Sequence, residues 1–148
     1  MQEAKLQARV LHLLSQEETL DALKAVEVDP YGIQAMLPKM VHLNILIEGV
    51  ECKVANIIKQ EMLSLGADAA VARDAVGCSI TGTDVILMGT LKQIRLFTAK
   101  IAEQPFGLQR ISESIREILI NLSLDSSPLQ TSRRKIKIGE RTLIMGII

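Results

Sequence analysis

The chain has 148 residues, enough for one domain of ordinary size with a sizeable core, and 48% of them are apolar. Its 17 basic and 17 acidic residues balance, so no global charge excess favours nucleic acid or an anionic membrane surface. Aromatic residues make up only 2%, too few for a row of base-stacking rings, and no apolar run approaches the roughly 18 residues of a membrane span. The N-terminus lacks a basic start followed by an apolar run, which argues against a secretory signal and for a cytoplasmic protein.

In chain order, Leu6 to Leu14 alternates partly and predicts a strand. Ser15, three residues ahead of Glu18, is the capping-box arrangement and starts a helix through about Val26. Asp29-Pro30-Tyr31-Gly32 is turn chemistry, since proline presets its own backbone angle and biases Asp29 away from helix. Val41 to Ile47 predicts a strand, broken by Glu48-Gly49. Lys53 to Leu65 has a helical stripe of Val54, Ile57, Ile58, Met62 and Leu65, stopped by Gly66.

Ala69 to Ala72 and Thr83 to Met88 read as strands, the second closed by Gly89-Thr90. Leu91 to Gln104 is a helix with the stripe Leu91, Ile94, Phe97 and Ile101, ended by Pro105. A last helix over about Leu108 to Asn121 turns Ile111, Ile115, Ile118 and Leu122 inward. Alternating strands and helices predict an α/β domain over residues 1–122, with a compact mixed or parallel sheet of four or more strands covered by helices.

Residues 123–135 are rich in serine and contain Pro128, which reads as a linker ending in the basic triplet Arg133-Arg134-Lys135. Ile136 and Ile138 alternate with charge and Gly139-Glu140 can turn, so residues 136–148 read as a hairpin leading into Thr142 to Ile148. That final run is almost continuously apolar, the pattern of a strand buried on both faces of a parallel sheet.

The catalytic inventory is short. His12 and His42 lie in apolar stretches with no ligand-spaced partner, and no Gly-x-Ser-x-Gly elbow occurs. Cys52 and Cys78 are too few for a disulfide framework and read as small, half-buried side chains in a reduced compartment, with a reactive thiol at Cys78 as the sharper alternative. The loop from Gly77 to Thr83 carries glycines and hydroxyls but lacks the Gly-Lys-Ser/Thr ending of a phosphate loop. Arg73, Asp74 and Asp84 lie near strand ends, where α/β sheets tend to place ligands. With Ser79 and Thr81 they form the candidate ligand-binding set, and no metal ligands are expected in this chain.

Gly139-Glu140-Arg141-Thr142-Leu143-Ile144-Met145-Gly146-Ile147-Ile148 resembles the opening of dihydropteroate synthases. In that family such a hairpin closes the base of a (β/α)₈ barrel, and the Thr-Leu-x-Met-Gly-Ile run is its first strand. Asp29-Pro30-Tyr31-Gly32-Ile33, Lys59-Gln60-Glu61-Met62-Leu63-Ser64-Leu65-Gly66, Asp68-Ala69-Ala70-Val71-Ala72-Arg73, Thr83-Asp84-Val85-Ile86-Leu87-Met88-Gly89-Thr90 and Gln104-Pro105-Phe106-Gly107-Leu108 look like the extra N-terminal domain of a subset of bacterial synthases. The resemblance implies a parent that joins p-aminobenzoate to a hydroxymethyl-dihydropterin diphosphate, with Mg²⁺ stabilising the departing diphosphate. The family's next residue, an Asn that contacts that diphosphate, would follow Ile148. The expectation is therefore a truncated parent, inactive without its barrel, which is the first partner the resemblance implies. A ligand-binding or regulatory module, and an oligomerisation domain forming homodimers, are the alternatives.

Overall fold

The computed structural model describes residues 7–123, 127–138, 142, 144 and 146. They divide into two compact units, Met1–Lys100 and Ile101–Ile148.

In the first unit, helix α1 spans Gln16–Ala25 and helix α2 spans Pro30–Met40. The capping box forms: Ser15 Oγ accepts from Glu18 N at 3.0 Å, and Glu18 Oε2 accepts from Leu14 N at 2.7 Å, one residue further back than the cap itself. Asp29-Pro30 proves to be a helix start rather than an isolated turn. Asp29 Oδ1 accepts from Gly32 N at 2.9 Å, and Pro30 takes the first helical position, where its missing N–H is no loss. Pro38 lies inside α2, withdrawing one interior amide two residues before the helix ends. The strand expected over Leu6 to Leu14 does not form among the described residues 7–14. Val10, Leu11 and Leu14 are exposed there, and a strand with no neighbour to take its hydrogen bonds gains nothing from alternation.

Strand β1 (His42–Glu51) leads into helix α3 (Cys52–Ser64), then strand β2 (Asp68–Val71), a short 3-10 turn at Arg73–Ala75, strand β3 (Gly82–Thr90) and helix α4 (Leu91–Ile101). The sheet order is β1-β3-β2, and β3 is antiparallel to both neighbours, from His42↔Thr90 to Glu51↔Gly82 on one side and from Asp68↔Met88 to Val71↔Val85 on the other. The α/β class holds, but the expected mixed or parallel sheet of four or more strands is a three-stranded antiparallel one. The physical reason is the connection from β2 to β3. It is too short for a covering helix, so β3 returns antiparallel and inserts between β1 and β2, a split β-α-β arrangement.

Alternation then sets the core. Ile45, Val50, Ala69, Val85 and Leu87 are buried, while Leu46 and Ile86, paired across the strands, remain on the exposed face. Helix α3 packs on all three strands and buries Val54, Ala55, Ile58 and Met62. The stripe Leu91, Ile94, Phe97 and Ile101 of α4 is buried as its spacing predicts. Gly66, at φ +71°, supplies the left-handed stop after α3.

Glu48-Gly49 does not end β1. The register shifts between Ile47 and Val50, so two residues face Asp84 alone, and Gly49 takes φ +65°. This is a β-bulge, an extra residue that a strand absorbs when one position can adopt a left-handed backbone.

In the second unit, helix α5 spans Leu108–Leu122 after a left-handed Gly107. It buries Leu108, Ser112 and Ile115; Ile118 and Leu122, expected to face inward, are exposed. The buried stripe thus runs through Leu108, Ser112 and Ile115, at the 3.6-residue repeat counted from Leu108. Strand β4 (Ser127–Gln130) pairs antiparallel with β5 (Lys135–Ile138), so a strand lies within the stretch 123–135 that reads as linker. Thr131 closes the turn between them, its N–H donating to Arg134 O at 2.8 Å and its Oγ accepting from Arg134 N at 2.9 Å. Ile136–Ile138 therefore pairs backwards along the chain. The turn expected at Gly139-Glu140 lies outside the described residues, as does the expected barrel strand except Thr142, Ile144 and Gly146.

Candidate functional site

The chemistry-bearing side chains of the first unit gather at one end of the sheet, where β1 passes into α3 and the loop after the 3-10 turn returns into β3. Cys52 N donates to Thr81 O at 3.1 Å, which ties the first residue of α3 to that loop. The loop itself is held by Asp74: its backbone oxygen accepts from Ser79 N at 3.2 Å and from Ser79 Oγ at 3.0 Å. Ala75 O takes Cys78 N at 3.1 Å, and Cys78 sits in the left-handed region at φ +49°.

These ties bring the two cysteines together. Cys52 Sγ lies 2.6 Å from Cys78 Sγ and 2.8 Å from Ala75 O, one thiol proton facing two acceptors. Asn56, one turn along α3, donates from Nδ2 to Ala75 O at 2.9 Å, with Cys78 Sγ at 3.6 Å and Cys52 Sγ at 3.9 Å. Cys52 is buried and Cys78 is exposed. The hydrogen bond with Cys78, and after it burial, pushes the Cys52 thiol above its ordinary value, because both favour the uncharged form.

Of the residues singled out from sequence, Asp74 and Ser79 are joined through that backbone oxygen, and Thr81 serves through its carbonyl. Arg73 is exposed on the 3-10 turn. Asp84 stands on the other face of β3, where Oδ1 accepts from Gly49 N at 2.9 Å and fastens the bulge. Thr83, buried beside it, accepts from Ala72 N at 3.2 Å and donates to Asp84 O at 2.9 Å. The sequence reading missed the thiol pair, because Cys52 and Cys78 are far apart in the chain and only the return of β3 makes them neighbours. The sole sequence signal was that the chain has two cysteines.

An α/β domain with this sequence is related to dihydropteroate synthases. Over 142 residues it is 30% identical to the probable bifunctional folylpolyglutamate synthase/dihydropteroate synthase of Halobacterium salinarum, a match that takes in 90% of this chain and 16% of that protein. The Haloferax volcanii protein of the same name is 36% identical over 70 residues, 47% of this chain and 8% of its own length. A bifunctional dihydropteroate synthase/dihydropteroate reductase of Helicobacter pylori is 26% identical over 110 residues, 74% of this chain and 29% of its own. The chain thus spans less than a third of each relative. No protein-family model matches it. No solved structure matches it either. Among the described residues, no helix is long and apolar enough to cross a membrane.

Proposed function

We propose that the chain is the N-terminal accessory portion of a dihydropteroate synthase, acting in the cytoplasm, and that it supplies no catalytic group by itself. The observation that carries this reading is the 142-residue match to a segment amounting to 16% of a far longer dihydropteroate synthase protein. The likeness of Thr142-Leu143-Ile144-Met145-Gly146-Ile147 to the family's first barrel strand supports it. On this reading the complete parent condenses p-aminobenzoate with the dihydropterin diphosphate on its barrel, which is the accessory domain's first partner; homodimerisation is a second.

Mg²⁺ would act on the departing diphosphate in that parent. Among the described residues, no group of three or more His, Cys, Asp or Glu comes together.

Two measurements test the proposal. The reading frame beyond Ile148 is expected to continue with an Asn and a Thr-Pro-Asp-Ser-Phe-like loop. The purified 148-residue chain, supplied with both substrates and Mg²⁺, is expected to form no dihydropteroate, and turnover by it would overturn the accessory role.

A further inference from the structure

We propose that Cys52 and Cys78 are a dithiol site that closes reversibly into an intramolecular disulfide by exchange with a low-molecular-weight disulfide. Three observations carry this. The sulfurs are 2.6 Å apart, close to the roughly 2.05 Å of a finished bond, so little movement separates the two states. Their exposures differ in the way exchange requires, with Cys78 open to a small reagent and Cys52 buried directly behind it. A polar group also reaches both sulfurs: Asn56 Nδ2 lies 3.6 Å from Cys78 Sγ and 3.9 Å from Cys52 Sγ.

The exchange balances in two steps. The Cys78 thiolate attacks one sulfur of the small disulfide; that S–S bond breaks, and one small thiolate departs with the electron pair. Cys52 then gives its proton to water and attacks the Cys78 sulfur, expelling the second small thiolate and leaving the Cys52–Cys78 bond. The protein has lost two protons and two electrons, and the small disulfide has become two thiols. Cys52 is suited to the second, intramolecular step, since burial shields it from the reagent and not from its neighbour. The bond would tie the first residue of α3 to the loop ahead of β3, a junction otherwise held by the hydrogen bond from Cys52 N to Thr81 O.

The full 148-residue chain is equilibrated in mixtures of reduced and oxidised glutathione, quenched with acid, alkylated and weighed intact, then digested for peptide mapping. The expected product at the oxidising end has lost two hydrogens, takes up no alkylating agent, remains monomeric and yields the Cys52 and Cys78 peptides joined. Cys52→Ser is expected to stop at a glutathione adduct on Cys78 that the natural chain resolves. Three outcomes overturn the proposal: both thiols staying alkylatable across the range, the natural chain stopping at the glutathione adduct, or a bond between two molecules. The peptide map of the natural chain decides among them even if the variant does not fold.

Discussion

Gln93 is the polar side chain on which two helix ends depend. Its Oε1 accepts from Thr90 N and from Thr90 Oγ1, both at 2.9 Å, while Gln93 N donates to Thr90 Oγ1 at 3.3 Å. That is a reciprocal capping box at the start of α4. The same amide donates from Nε2 to Leu65 O at 3.2 Å and to Gly66 O at 2.9 Å, satisfying carbonyls left over at the end of α3. Gln93→Ala removes the Oε1 acceptor of Thr90 N and Thr90 Oγ1 and both bonds to α3, while the backbone N–H of residue 93 keeps its bond to Thr90 Oγ1. Losing that acceptor costs about 1 kcal/mol, and the two neutral hydrogen bonds to α3 at a half-exposed site add about 1 kcal/mol more, so the expected loss is about 2 kcal/mol. Thr90→Ala removes only the cap and should cost about 1 kcal/mol. Because the two residues share the cap, the double variant should fall short of additivity by about 1 kcal/mol. Gln93→Glu keeps the acceptor at Thr90 but turns a carboxylate oxygen toward Leu65 O and Gly66 O, so it should lose the α3 contribution alone. Urea unfolding followed by far-ultraviolet circular dichroism gives all four values. A Gln93→Ala change of less than about 0.5 kcal/mol, the range of an ordinary surface substitution, would refute the reasoning.

Three other outcomes are expected. Phe97→Ala empties the largest of the fully buried side-chain positions and should cost about 3–5 kcal/mol, measurable in the same unfolding assay as a lower midpoint. Asp84→Ala leaves the bulge amide of Gly49 without its acceptor and should cost about 1 kcal/mol, whereas Asp84→Asn keeps an acceptor and should lose less; equal losses would show that Asp84 does not act through that bond. The reduced chain should lose stability as pH rises through about 8.5, since folded Cys52 holds a proton that the unfolded thiol gives up. Thermal unfolding under reductant at about pH 7.5 and about pH 10 should therefore show a larger drop for the natural chain than for Cys52→Ala, and an equal drop would count against the raised thiol.

Much of the local structure is legible in the sequence because its causes are local. Ser15 and Glu18 cap α1 through groups three residues apart, Gly66 stops α3 with its own backbone angle, and the α4 stripe is a matter of 3.6-residue spacing. The residues of Leu6 to Leu14 mislead for the complementary reason: alternation shows which face a strand would bury, but not whether a neighbour is there to pair with it. Glu48-Gly49 misleads likewise, since a glycine that ends a strand and one that kinks it look the same until Asp84 is found opposite. Among the candidate ligand residues, strand-end position was readable. The bonds that Asp74, Ser79 and Asp84 make within the chain were not.

By itself the sequence determined helices α1, α3, α4 and α5, though not α2, the alternation that divides core from surface and the kinship with dihydropteroate synthases, all of which rest on short-range pattern or on residue identity. The tertiary structure alone decided the strand order β1-β3-β2, the hairpin Ser127–Ile138 and the meeting of Cys52 with Cys78. Strand order depends on which edge offers unpaired amides when the chain returns, a competition between distant segments that no local pattern records. The thiol pair follows from it, because β3 inserting between β1 and β2 carries the loop of Cys78 back to the first turn of α3.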